Sequence, residues 1–140
     1  KIAYEEGADI VTVAGVTNDS VIARAVEAAR EFGKECFVDL ISVDDIVQRA
    51  AEVDALGADC IGVHTSHDTI AGGNQAPTKD LSRIKAVIKR ARTSISGGIK
   101  AEFIDDIVSF GPDVVIVGSG IMLAEDKRGT AKMIYEAIHG

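Results

Sequence analysis

The sequence predicts an α/β chain of five alternating strand and helix units around a parallel sheet, and three observations carry that prediction. A glycine and an acid precede an apolar run three times, at Gly7-Ala8-Asp9-Ile10-Val11, Gly57-Ala58-Asp59-Cys60-Ile61 and Gly111-Pro112-Asp113-Val114-Val115. Glycine suits the left-handed residue that stops a helix, and the β-branched run after it suits a strand buried in a parallel sheet. Helical periodicity fills the gaps between the runs. Length is the third observation, because 140 residues fall short of the roughly 200 or more that a (β/α)8 barrel takes. Two architectures follow: about five of the eight βα units of such a barrel, or an open doubly wound sheet.

Lys1 to Glu6 read as the last turns of a helix, so the chain is expected to begin inside a longer pattern. The first strand is predicted near Ile10 to Ala14, and Val21, Ile22, Ala25, Val26 and Ala29 share one helical face that ends before Gly33. A second strand is placed at Cys36 to Ile41. The next helix carries Ile46, Ala50, Val53 and Leu56 on one face, and Ser42 with Asp45 resembles a capping box at its start. A third strand follows at Cys60 to Thr65. Leu81, Ile84, Val87, Ile88 and Ala91 mark a third helix, Ser94 to Ser96 a fourth strand, and Phe103, Ile104, Ile107 and Val108 a fourth helix. Val114 to Val117 is the fifth strand, and Ala131, Ile134, Tyr135 and Ile138 lie on a last helix.

Composition narrows the function. With 46% hydrophobic and 26% charged residues, the chain reads as one globular domain over residues 1–140 that can bury a core. A net charge of −7 and 4% aromatic content leave neither the positive potential nor the stacking platforms that nucleic-acid binding draws on. No apolar run approaches the ~18 residues of a membrane span and no signal-peptide pattern is present. Neither nucleic acid nor membrane is expected as a partner, and the expected compartment is the cytoplasm. Cys36 and Cys60 sit inside apolar runs without ligand spacing and read as reduced core residues.

In either architecture, ligands bind at the C-terminal ends of the strands. Polar groups collect there: Asp39 within Val38-Asp39-Leu40, His64 to Asp68 after the third strand, Ser96-Gly97-Gly98 after the fourth and Gly118-Ser119-Gly120 after the fifth. Two glycine-rich ends on consecutive strands suit a phosphate site, where bare backbone N–H groups can approach an anion closely. Ser119 reads as a phosphate-facing hydroxyl. A tight turn that needs glycine is the plainer alternative for each loop. Asp39 interrupts an apolar strand and must be hydrogen-bonded, paired or wet; it is either a structural ion pair or a catalytic, substrate-orienting acid. His64 can carry a proton near neutral pH, with a satisfied structural histidine as its alternative. His64 and His67 lack the further ligands a zinc site needs. Asp68 to Thr78 forms the longest connection, a lid over the rim or an inert loop.

Taken together, Gly7-Ala8-Asp9-Ile10-Val11-Thr12-Val13, Val38-Asp39-Leu40-Ile41, Asp54 through Asp59 with Val63-His64-Thr65, Ser96-Gly97-Gly98-Ile99-Lys100 and Val115 through Ile121 resemble the 3-hexulose-6-phosphate synthase family. That family groups with orotidine-phosphate decarboxylase and 3-keto-L-gulonate-6-phosphate decarboxylase in one barrel superfamily. The resemblance implies the C-terminal part of a (β/α)8 barrel. It also implies reversible aldol addition of formaldehyde to D-ribulose 5-phosphate, giving D-arabino-hex-3-ulose 6-phosphate through a magnesium-stabilised enediolate. By position, His64 matches the proton-transfer residue, Asp39 the substrate-contacting acid, and Ser96, Gly97, Gly98, Gly118 and Ser119 the phosphate cradle. The Mg2+ ligands are expected in an N-terminal part outside this chain, with none among these 140 residues. The parent is then a homodimer, and the isolated chain is expected to show little or no aldolase activity. For the related decarboxylase the resemblance suggests an arginine three residues after the histidine; here that position is His67.

Overall fold

In a computed structural model that describes residues 1–65 and 76–140, five parallel strands stand side by side in chain order, β1 to β5. They are β1 (Ile10–Ala14), β2 (Glu35–Asp39), β3 (Cys60–His64), β4 (Arg92–Ser96) and β5 (Val114–Ile116). Among the described residues the helices are α1 (Ile2–Glu5), α2 (Asp19–Phe32), α3 (Ile46–Leu56), α4 (Thr78–Lys85), α5 (Ile104–Ser109), α6 (Ser119–Met122) and α7 (Lys127–His139), with a 3-10 turn at Ala101–Phe103. A doubly wound sheet reverses its strand order at a switch point. Here the order never reverses.

Burial separates the same two architectures. Strand residues alternate sides, and one set, including Val11, Val13, Cys36, Val38, Ile61, Val63, Ile95 and Val115, joins Ile22, Val26, Ala29, Ala50, Val53, Leu81, Ile84 and Ile107 of the helices in a single core. All the helices that contribute therefore lie on one face. The opposite face carries Thr12, Asp39, Gly62, His64, Ser94 and Ser96 around the single large ring of Phe37, a mostly polar and small-residue set that suits the interior of a barrel wall. Ile22, Ile61, Leu81, Ile84 and Ile95 are fully buried, each contributing about 1.5–3 kcal/mol.

The helix stops fall where the glycines predict. Gly33 and Gly57 adopt φ of 61° and 96° just after α2 and α3, a region open to glycine at little cost. The acids of the repeated signal do more than precede strands. Asp59 accepts the Cys36 N–H at 2.8 Å, and Asp113 accepts both the N–H and the hydroxyl of Thr93, at 2.7 and 2.9 Å. Each ties the start of its strand to the start of the strand before.

Several boundaries differ from the periodicity. β2 ends at Asp39 rather than Ile41, because the Asp39 carboxylate accepts the Ile41 N–H at 3.0 Å and Ser42 turns to φ 61°. Ser42 and Asp45 form no capping box; Asp45 is itself the N-cap, accepting from Gln48 N at 3.1 Å. The third predicted helix stops at Lys85 instead of reaching Ala91, since the buried Asp54 carboxylate on α3 accepts the N–H groups of Lys89, Arg90 and Ala91 at 2.8–3.1 Å. Those donors are satisfied without a further helical turn. β4 also starts earlier than predicted, at Arg92, because pairing with Cys60 on β3 draws polar residues into the ladder.

Candidate functional site

All five strands run the same way, so Asp39, His64, Ser96 and both glycine-rich loops emerge at one end of the sheet. Asp39 and His64 meet there, with His64 Nδ1 2.9 Å from Asp39 Oδ2. The second Asp39 oxygen is occupied by the Ile41 N–H. Their side chains are 19% and 31% exposed, enough to touch solvent or a ligand yet held on several sides. A carboxylate oxygen accepts, so the imidazole presents Nδ1–H to it and leaves Nε2 as the unprotonated nitrogen. This pairing makes Asp39 the residue that orients His64.

Below that pair lies a close-packed floor. Gly62 precedes His64 by two positions on the same face, and a Cβ there would stand 2.6 Å from the Phe37 ring and 2.8 Å from Ser94 Oγ. The missing side chain is what lets the Phe37 ring lie across the strand. Ser94 is fully buried, and its hydroxyl has no hydrogen-bond partner among the described residues.

Beside His64, the register places Ser96 opposite it on β4 and Ile116 of β5 beyond. Ser96 is buried, its hydroxyl 3.4 Å from the Val63 carbonyl. Gly97 and Gly98 follow at φ 87° and 67°, and the bare Gly97 Cα packs against the Thr65 carbonyl, next to His64. The second loop touches the first, because Gly120 packs on the carbonyl of Ile99. Gly118 is the residue before α6, with open space where a side chain would be. Ser119 opens that helix, whose first N–H groups have no intrahelical acceptor.

Several residues at this end were not predicted from the sequence. Arg49, on α3, bonds the carbonyls of Gly15 and Thr17, each at 2.7 Å, and the carboxylates of Asp19 and Glu52 at 2.6 and 2.8 Å. It lines a cleft of about 690 Å³ between the loops that follow β1 and β2. Nothing in an amphipathic helix marks one arginine as different from its neighbours. Phe37 and Gly62 also escaped notice, because each alone looks like an ordinary strand residue.

Burial pushes both thiols up to about 11, with the Asp59 carboxylate adding to the effect at Cys36, and both cysteines are free. His67 and nearly all of the predicted lid lie outside the described residues. Among the described residues no cluster of three or more His, Cys, Asp or Glu side chains is placed to hold a metal, and both Asp39 oxygens already have partners. His139 bonds the Tyr135 carbonyl on its own helix and stacks on that ring. No described helix is long and apolar enough to cross a membrane.

Comparison with known proteins places this geometry. The model of the Orotidine 5'-phosphate decarboxylase / HUMPS family matches residues 1–134. The 3-hexulose-6-phosphate synthase 1 of Staphylococcus saprophyticus is 46% identical over 99% of this chain, and the 3-hexulose-6-phosphate synthase of Staphylococcus epidermidis is 47% identical over the same share. The chain spans 65% of the length of these curated relatives. Among solved structures, the 3-hexulose-6-phosphate synthase of Salmonella typhimurium superposes with a TM-score of 0.93 at 40% identity, covering 99% of this chain and 65% of that one. The 3-keto-L-gulonate-6-phosphate decarboxylase of Vibrio cholerae gives 0.77 at 26%, covering 98% and 64%. With a family model matched across nearly its whole length and a sheet of the same form, this chain belongs to the Orotidine 5'-phosphate decarboxylase / HUMPS family.

Proposed function

We propose that the protein carrying this sequence is a 3-hexulose-6-phosphate synthase, a formaldehyde-fixing aldolase that adds formaldehyde to D-ribulose 5-phosphate and gives D-arabino-hex-3-ulose 6-phosphate. The observation that carries the reading is the His64–Asp39 contact of 2.9 Å at the end of the sheet where two glycine loops adjoin. The names and identities of the staphylococcal relatives support it.

The addition needs a proton removed from the carbon next to the ketose carbonyl, a new bond from that carbon to formaldehyde, and a proton delivered to the resulting alkoxide. His64 is assigned the proton transfer: Asp39 fixes its Nδ1, so Nε2 faces the substrate as a base and, once protonated, as an acid. Ser96, Gly97, Gly98, Gly118 and Ser119 are assigned the sugar's phosphoryl end, through backbone N–H groups and two hydroxyls. No step is assigned to magnesium, whose ligands are expected in the part of the longer protein that this chain does not include. Cytoplasmic location and a homodimeric parent belong to the same proposal.

The test is an assay of the longer protein with ribulose 5-phosphate, formaldehyde and magnesium, in wild-type and His64→Gln forms. Product formation that falls about 10²–10⁴-fold in the variant supports the reading. Turnover of 3-keto-L-gulonate 6-phosphate in place of these substrates would overturn it in favour of the decarboxylase. Against that rival stands the histidine at position 67, which offers no side chain of fixed positive charge to an acidic substrate.

A further inference from the structure

We propose that Arg49 is a positioning residue for the His64–Asp39 pair, acting through the turn that follows β1. The inference rests on the reading of His64 and Asp39 as the reacting pair, and the link itself is a continuous set of short contacts. The Arg49 Nε–H donates to the Gly15 carbonyl at 2.7 Å. The Gly15 N–H in turn donates to the Asp39 carbonyl at 2.7 Å. Asp39 then holds His64 Nδ1 at 2.9 Å.

Gly15 is where the turn meets the acid's backbone most closely. A Cβ at Gly15 would lie 2.8 Å from Leu40 Cδ2 and 3.1 Å from the Asp39 carbonyl oxygen. The turn is therefore pressed onto the Asp39–Leu40 peptide, and a side chain at position 15 would force Leu40 or that peptide to shift. Thr17 closes the turn on itself, its hydroxyl donating to the Ala14 carbonyl at 2.8 Å. Arg49 grips this unit at two carbonyls, Gly15 and Thr17, while Asp19 and Glu52 balance its charge. Its side chain is only 14% exposed. A guanidinium fork can bridge two carbonyls and two carboxylates at once, whereas an ammonium is a compact point charge that cannot span them in the same geometry.

The plainer role for Arg49 is to staple α3 to the loop after β1 and nothing more. The two roles differ in what they do to His64. A staple contributes stability alone; a positioning residue also fixes which imidazole nitrogen carries the proton.

The test uses the longer protein labelled with 15N, reading the two His64 ring nitrogens by long-range 1H–15N correlation without substrate. Wild-type chain is expected to show two well-separated nitrogens, those of a single tautomer with the proton on Nδ1. In Arg49→Lys and in Gly15→Ala the two resonances are expected to move toward each other, as for a freely exchanging imidazole. Asp113→Ala, which removes a tie at the opposite end of the sheet, is expected to lower the melting temperature with the His64 nitrogens unmoved. Asp19→Asn, which leaves both carbonyl contacts in place, is also expected to leave them unmoved. If Arg49→Lys and Gly15→Ala lower the melting temperature and leave His64 unmoved, or if Asp19→Asn shifts it as far as Arg49→Lys, the proposal is overturned. An inactive longer protein whose His64 nitrogens still respond to Arg49 would sink the aldolase reading and keep the positioning role.

Discussion

Phe37 lies over Gly62 so closely that the strand has no room for a single additional methyl group, 2.6 Å being all that separates the ring from where a Cβ would stand. The Asp39–His64 pair is built two residues further along the same two strands. Packing below the site and chemistry within it are thus joined by strand geometry.

Gly62→Ala is expected to destabilise the chain by about 1–3 kcal/mol, the usual penalty for overpacking. Urea denaturation followed by far-ultraviolet circular dichroism measures it. Adding Phe37→Leu, which shortens the side chain that clashes, should recover part of the loss. A double variant that is less stable than the two single losses added together would contradict the contact.

Asp54 gives a pH dependence whose sign is fixed. Burial alone would raise its pKa, but the N–H groups of Ala91, Lys89 and Arg90, with the Arg90 charge, bring it below the usual carboxylate range. Asp113 is likewise lowered, chiefly by the Thr93 N–H, against its own burial. A group whose folded pKa lies below its unfolded value near ~3.9 stabilises fully above that value, and the contribution disappears as pH falls through the folded one. Stability should therefore decline on acidification below about pH 4. In Asp54→Asn it should be lower at neutral pH by about 1.5–3 kcal/mol and should decline less steeply with acid.

Both thiols should be inert in the folded chain. With Cys36 and Cys60 buried and their pKa raised to about 11, little thiolate is present at pH 8, and reaction requires the thiolate. Modification by a disulfide reagent should therefore proceed at the rate of unfolding, and denaturant should make it immediate. Rapid labelling of either cysteine under native conditions would contradict their placement.

Asp39→Asn separates orientation from proton transfer in the longer protein. Asparagine keeps the size of the side chain and can present its NH2 group to Nδ1, which favours the wrong tautomer of His64. We expect kcat to fall at least tenfold with KM for ribulose 5-phosphate little changed, the pattern of a group that acts in the transition state. A rise in KM at constant kcat would instead make Asp39 a substrate-binding acid.

Much of this was legible in the sequence because it depends on local rules. The three glycine–acid signals located helix ends and strand starts, since a left-handed residue and a β-branched run leave a mark within a few positions. Asp39 and His64 stood out for the same reason, as polar residues at the ends of apolar runs. Other features were hidden. The early stop of α4 depends on Asp54, more than thirty residues away, and no periodicity within the helix reports it. The loop Gly15-Val16-Thr17 reads as ordinary until Arg49 is seen gripping it.

By itself, then, the sequence determined the order and kind of the elements and the residue types at the rim, because propensity, capping and hydrophobic periodicity act between near neighbours. Only the tertiary structure decided that the strands follow one another without reversal, that Asp39 turns its carboxylate to His64, and that the two glycine loops touch. Those outcomes depend on which strands pair and how closely they approach, distances that residues far apart in the chain settle together.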